Sequence, residues 1–169
     1  VIGRQIKGHT SESVTLGGNL DVLGRVNLRA GNLIVNDTLS AEGDIDLRVR
    51  GNADGGLTVT GTVNADGDID MRNRGDGPVM ISGTLWGSGP LHLRNKGDGD
   101  TTVNGTLTSE GDVKVTASGD FRLGEGGGLM GGISGGIGSF FGSVILNSGG
   151  STTINGSVTS VGDISVDSG

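Results

Sequence analysis

The chain of 169 residues has no cysteine, no tyrosine, two prolines, one tryptophan and three phenylalanines. Without cysteine there is no disulfide framework, no thiol nucleophile and no thiolate-held metal. So few aromatics exclude the bulky core of an ordinary globular domain. Cations are outnumbered, 12 Lys and Arg against 19 Asp and Glu, for a net charge of -7. That balance repels phosphate backbones and anionic bilayers, so neither is an expected partner. No apolar run approaches the roughly 18 residues of a spanning helix. The opening Val1-Ile2-Gly3-Arg4-Gln5 lacks the basic and apolar regions of a signal peptide.

What abounds is glycine, at 37 residues. The hydrophobic residues, 32% of the chain, are mostly Val, Ile and Leu, and the mean hydropathy of -0.07 is too high for a plainly disordered polymer. Glycine with small branched apolar residues points to short strands and tight turns.

Two phrases alternate along the chain. The first is Val35-Asn36-Asp37-Thr38-Leu39, Val59-Thr60-Gly61-Thr62-Val63, Ile81-Ser82-Gly83-Thr84-Leu85, Val103-Asn104-Gly105-Thr106-Leu107 and Ile154-Asn155-Gly156-Ser157-Val158. The second is Gly43-Asp44-Ile45-Asp46-Leu47, Gly67-Asp68-Ile69-Asp70-Met71, Gly89-Pro90-Leu91-His92-Leu93, Gly111-Asp112-Val113-Lys114-Val115 and Gly162-Asp163-Ile164-Ser165-Val166. Its opening glycines step by 24, 22, 22 and then 51 residues, the last being two repeats plus an insertion. Within the phrases Val59, Val63, Ile69 and Met71 share one parity and Thr60, Thr62, Asp68 and Asp70 the other, the period of a strand. One repeat cannot bury its own apolar face, whereas stacked repeats bury a continuous one. The expected fold is therefore all-β, a parallel β-solenoid with coils of about 22 to 24 residues. Residues 18–118 are read as coils and 152–169 as a final coil. Residues 1–17 are read as a cap or a strand donated to a neighbour, and 119–151 as a glycine-rich apolar insertion.

Stacking turns each repeat position into a column. Thr38, Thr62, Thr84, Thr106 and Ser157 form an outward hydroxyl column, beside Asn36, Thr60, Ser82, Asn104 and Asn155. They read as ladders along the stack, with a flat ice-binding face as the sharper alternative. Asp44, Asp68, Asp112 and Asp163 form an acidic column whose repulsion needs relief, from the basic column of Arg48, Arg72 and Arg94 or from cations. No cofactor is assigned. Calcium on these carboxylates and on the Asp-Gly turns at Asp54, Asp76, Asp98 and Asp100 is the one ion considered. Arg74-Gly75-Asp76 spells an integrin-read tripeptide in an expected turn. His9 and His92 have no nucleophile or metal-ligand spacing around them, and every acid is a repeat element, so no catalytic residue is assigned. Trp86 replaces the small polar residues Ser40, Asn64, Thr108 and Thr159 of its column, which marks it as a candidate ligand contact.

The phrases Gly43-Asp44-Ile45-Asp46-Leu47 and Thr153-Ile154-Asn155-Gly156-Ser157-Val158-Thr159-Ser160 resemble repeats of bacterial surface β-helix proteins: filamentous-haemagglutinin-type exoproteins, autotransporter passenger domains and related adhesin modules. The resemblance is to bactofilins less, since their coils are shorter and poorer in Asp-Gly. It implies secretion, a rod-like scaffold, and adhesion or matrix building.

A solenoid end presents unpaired backbone that templates further pairing. The expected function is a structural subunit of an extracellular fibre, a homopolymer grown end to end. The expected contacts are Val1, Ile2 and Ile6 at one end, Ile164 and Val166 at the other, and Leu129, Met130, Ile133, Phe140 and Phe141 of the insertion. The alternative is a monomeric adhesin rod presenting Trp86, the turns or the glycine-rich loop to carbohydrate or host protein.

Overall fold

The computed structural model describes residues 2–51, 54–131 and 142–169. It is an all-β parallel solenoid of about 7 coils, about 22 residues per turn, with no helix among the described residues. The first coil carries β1 (Ile2–His9) and β2 (Ser13–Leu16), and the second β3 (Leu20–Ala30) and β4 (Asn32–Val35). From the third coil each turn has three strands. These are β5 (Thr38–Ala41), β6 (Ile45–Val49) and β7 (Leu57–Val59), then β8 (Thr62–Ala65), β9 (Ile69–Asn73) and β10 (Val79–Ile81). The fifth coil holds β11 (Thr84–Gly87), β12 (Leu91–Asn95) and β13 (Thr101–Val103), the sixth β14 (Thr106–Ser109), β15 (Val113–Ala117) and β16 (Phe121–Leu123). The seventh holds β17 (Gly128–Gly131), β18 (Val144–Ser148) and β19 (Thr152–Ile154), and β20 (Ser157–Ser160) and β21 (Ile164–Ser168) follow.

Strands stack on three faces, every pair parallel. On the first face β5, β8, β11, β14, β17 and β20 succeed one another, and on the second β3, β6, β9, β12, β15, β18 and β21. The third is β2, β4, β7, β10, β13, β16 and β19. The repeat phrases fall in register: Ile45 pairs with Ile69, then Leu91, Val113, Val144 and Ile164. The 51-residue step resolves into 31 residues from Val113 to Val144 and 20 from there to Ile164.

Strand parity decides the core. Val59, Val63, Ile69 and Met71 point inward at 0% exposure, as their alternation predicts. Leu, Ile and Val from successive coils stack into one continuous apolar column, and Phe121 is its one aromatic among the described residues. Each fully buried Leu or Ile contributes about 1.5 to 3 kcal/mol by leaving water.

Two boundaries differ from the sequence reading. Of the two readings of 1–17, a cap or a donated strand, the second does not describe residues 2–16: β1 pairs with β3, and β2 with β4, inside the same chain. The segment escaped the repeat because its strands lack the Gly-Asp phrase while keeping the alternation. The insertion is also narrower than 119–151, since β16, β17 and β18 take normal places in the stack.

Candidate functional site

Glycine and aspartate recur together because neighbouring coils press on one another at the corners. Between the first and second faces Asp44 Oδ1 accepts the backbone N–H of Asp68 at 3.2 Å, and Asp112 Oδ1 accepts that of Ser143 at 2.8 Å. Ser143 Oγ in turn accepts the N–H of Asp163 at 3.2 Å. Each carboxylate folds over the glycine of the next coil, so a Cβ at Gly67 or Gly89 would collide with Asp44 or Asp68. The corner before the third face repeats the device: Asn32 Oδ1 accepts Gly56 N–H at 3.1 Å, Asp100 accepts Asp120 N–H at 3.2 Å, and Asp120 accepts Ser151 N–H at 2.8 Å. Asp44, Asp112, Asp100 and Asp120 are thus relieved by backbone donors, which favour a carboxylate acceptor, and Asp44 also pairs with Arg25 at 3.5 Å. Among the described residues no group of three or more acidic or imidazole side chains is placed to hold a metal ion.

The second face carries the Asp–Arg ladder. Arg48 Nε donates to Asp46 at 2.6 Å, and Arg72 Nε to Asp70 at 2.9 Å. In the next coil His92 takes the aspartate's place, and Arg94 donates to its Nδ1 at 3.0 Å, which requires a neutral imidazole there. Burial of Asp70 opposes its ionisation, but the Arg72 hydrogen bond, with the charges of Arg72, Arg94 and His92, outweighs it and holds the carboxyl below its ordinary range. Burial, then the Arg94 charge, pushes the His92 imidazole down.

An unheralded polar element lies under the corner between the second and third faces. Asn73 and Asn95 sit in the inward column of Val49 and Ala117, both at 0% exposure. Asn73 Nδ2 donates to Asn95 Oδ1 at 3.1 Å and to the carbonyls of Gly75 and Gly77 at 3.0 and 2.8 Å. They hold the turn that contains Arg74 and Asp76, whose side chains are exposed. The shared phrase Arg-Asn-Arg/Lys-Gly-Asp-Gly carried this signal, at inward parity.

Trp86 stands where its column predicts, outward on β11 beside Asn64 of β8 and Thr108 of β14. Asp21 and Ser40 continue that column toward the first coil. The half-buried indole closes one end of an open groove of about 500 Å3, with Asp21, Val22 and Leu23 at the other, Ser40, Ala41 and Asn64 between, and Glu42 and Asp66 alongside.

The expected assembly contacts separate. Ile164 and Val166, in columns wholly or nearly wholly buried in the interior coils, are 51% and 47% exposed on the last coil. Ile6 is partly buried against the core, and Ile2 lies on β1 at the opposite edge. Leu129 is withdrawn from the contact set: it pairs with Leu107 and Val158 and is fully buried, because its parity on β17 is inward. Met130 lies on β17 in the Trp86 column. Val1, Ile133, Phe140 and Phe141 lie outside the described residues.

No helix among the described residues is long and apolar enough to cross a membrane. No protein-family model, curated protein or solved structure matches the chain.

Proposed function

We propose that this chain is a structural subunit of an extracellular β-solenoid fibre, a surface or matrix filament grown by end-to-end stacking of copies. The observation that carries the reading is the unbroken in-register stack, in which Ile45, Ile69, Leu91, Val113, Val144 and Ile164 lie one above another. A first coil of one copy laid on β20 and β21 of another in the same register covers Ile164 and Val166 and continues the pairing of those strands. The contact is heterologous, the first-coil end of one copy meeting the opposite end of the next, so it propagates instead of closing. An in-register parallel stack adds a coil in the way each interior coil already joins the next.

Negative-stain electron microscopy across a concentration series tests this. Unbranched filaments that lengthen with concentration and vanish when residues 1–17 are deleted are the expected result. Short rods dispersed at every concentration would overturn it.

A further inference from the structure

We propose that the groove between Leu23 and Trp86 binds a glycan bearing protonated amino sugars. The site lies on the flank of the rod and stands independently of end-to-end assembly.

Shape is the first ground. Asp21, Ser40, Asn64 and Trp86 occupy one column on four successive coils, so the groove runs along the rod axis for three rungs, about 14 Å at the usual strand spacing. Its floor is made of short side chains, and its two ends rise at Leu23 and Trp86. From the second to the sixth coil every other residue of the Trp86 column is polar: Asp21, Ser40, Asn64 and Thr108. The adjoining column reads Leu23, Glu42, Asp66, Ser88 and Glu110. Each column thus has one apolar member in that span, and both of those flank the same groove. Leu23 is 52% exposed there, although its strand could have carried a polar residue at no cost to the core.

Charge selects the occupant. Asp21, Glu42 and Asp66 line the groove and no Lys, Arg or His does. None of the three carboxylates makes an ion pair with a described residue; the ion pairs are Arg25–Asp44, Arg48–Asp46 and Arg72–Asp70. An ammonium group here meets carboxylates and the indole face together, and both attract cations. A pyranose offers a flat C–H face to Trp86, with hydroxyls for Ser40 and Asn64. A peptide gains less. The floor strands are paired on both sides, so an extended chain crossing them finds no free edge for main-chain hydrogen bonds.

The chain has one Trp and no Tyr, so intrinsic fluorescence reports on this groove alone. The intact protein is titrated with a fully deacetylated glucosamine oligomer, with its N-acetylated counterpart and with oligolysine. Expected is a saturable change with the deacetylated oligomer, weakened about tenfold or more by acetylation and by the pair Glu42→Gln and Asp66→Asn, and abolished by high salt. Trp86→Ala, followed calorimetrically, loses binding while its melting curve stays that of the parent. Equal response to both oligomers would overturn the charge argument, binding of oligolysine as tight as the glycan would overturn the choice of glycan, and no response to any probe would overturn the site. Filament formation unaltered by the groove variants keeps this result separate from the assembly test.

Discussion

Proline 90 has no backbone N–H, and that one missing donor shows what the corner aspartates do. Asp44 and Asp112 each hold an amide of the following coil, but Asp68 faces Pro90 and has no such amide to hold. Replacing Asp112 by Ala should therefore cost about 1 to 2 kcal/mol, by leaving the Ser143 N–H without its acceptor. Replacing Asp68 should change stability by less than about 0.5 kcal/mol. Urea denaturation of the two variants checks the difference, and equal losses would refute the capping role. The sequence made these aspartates visible as an acidic column but not as caps, since a carboxylate's acceptor role depends on which amide the next coil brings beneath it. The buried Asn73–Asn95 pair was hidden for a related reason: asparagine at inward parity reads as a turn residue until the loop carbonyls converge on it.

At the scale of the strand, the second face places unlike chemistries at equivalent positions. Asp46 and Asp70 form ion pairs along their strands, while His92 receives the guanidinium of Arg94 as a neutral base. Both Asp70 and His92 titrate below their ordinary values, 3.8 and 6.5, so in each case the unfolded chain takes up its proton first as pH falls. The stabilising share of each is present above its ordinary value and is lost as pH drops through the lower folded one. Melting temperature should accordingly decline in two stages, one beginning just below pH 6.5 and the other below pH 3.8. His92→Gln should remove the first stage and Asp70→Asn should blunt the second, as thermal melts over a pH series would register. Strand identity and facing were legible within the repeat phrases, where a period of two survives any substitution that keeps parity, but not at β16, β17 and β18, whose glycine-rich surroundings read as insertion and left the inward Leu129 taken for a contact. Pairing partners followed wherever the Gly-Asp phrase recurs, and failed at β1 and β2, where the phrase is absent and only the backbone ladder reveals the coil.

The whole molecule is a stack in which each coil touches only its neighbours, so stability is a sum of coil interfaces. Leu107, covered on both sides, should cost about 2 to 5 kcal/mol when cut to Ala. Val166→Ala, at a half-exposed position, should cost the isolated rod less than about 1 kcal/mol yet raise the concentration needed for filaments. Denaturation paired with sedimentation separates these effects. A Val166 variant that assembles like the parent would place the fibre contact elsewhere. The repeat, and with it this architecture, was plain from the phrase spacing. The groove beside Trp86 was legible only in part, since the column showed the tryptophan as an exception while Leu23 joins it only once the coils are superposed.

The in-register ladder also bears on how such material would be identified. Its rungs repeat along the axis at about 4.8 Å, the spacing that aligned cross-β fibres give on their meridian. An oriented sample of the native rod therefore diffracts at the same position as an amyloid. Were this chain to form filaments, a reflection there would report correctly folded coils as readily as misfolded ones, and the discriminating signal would be the equatorial pattern set by three faces around a filled core.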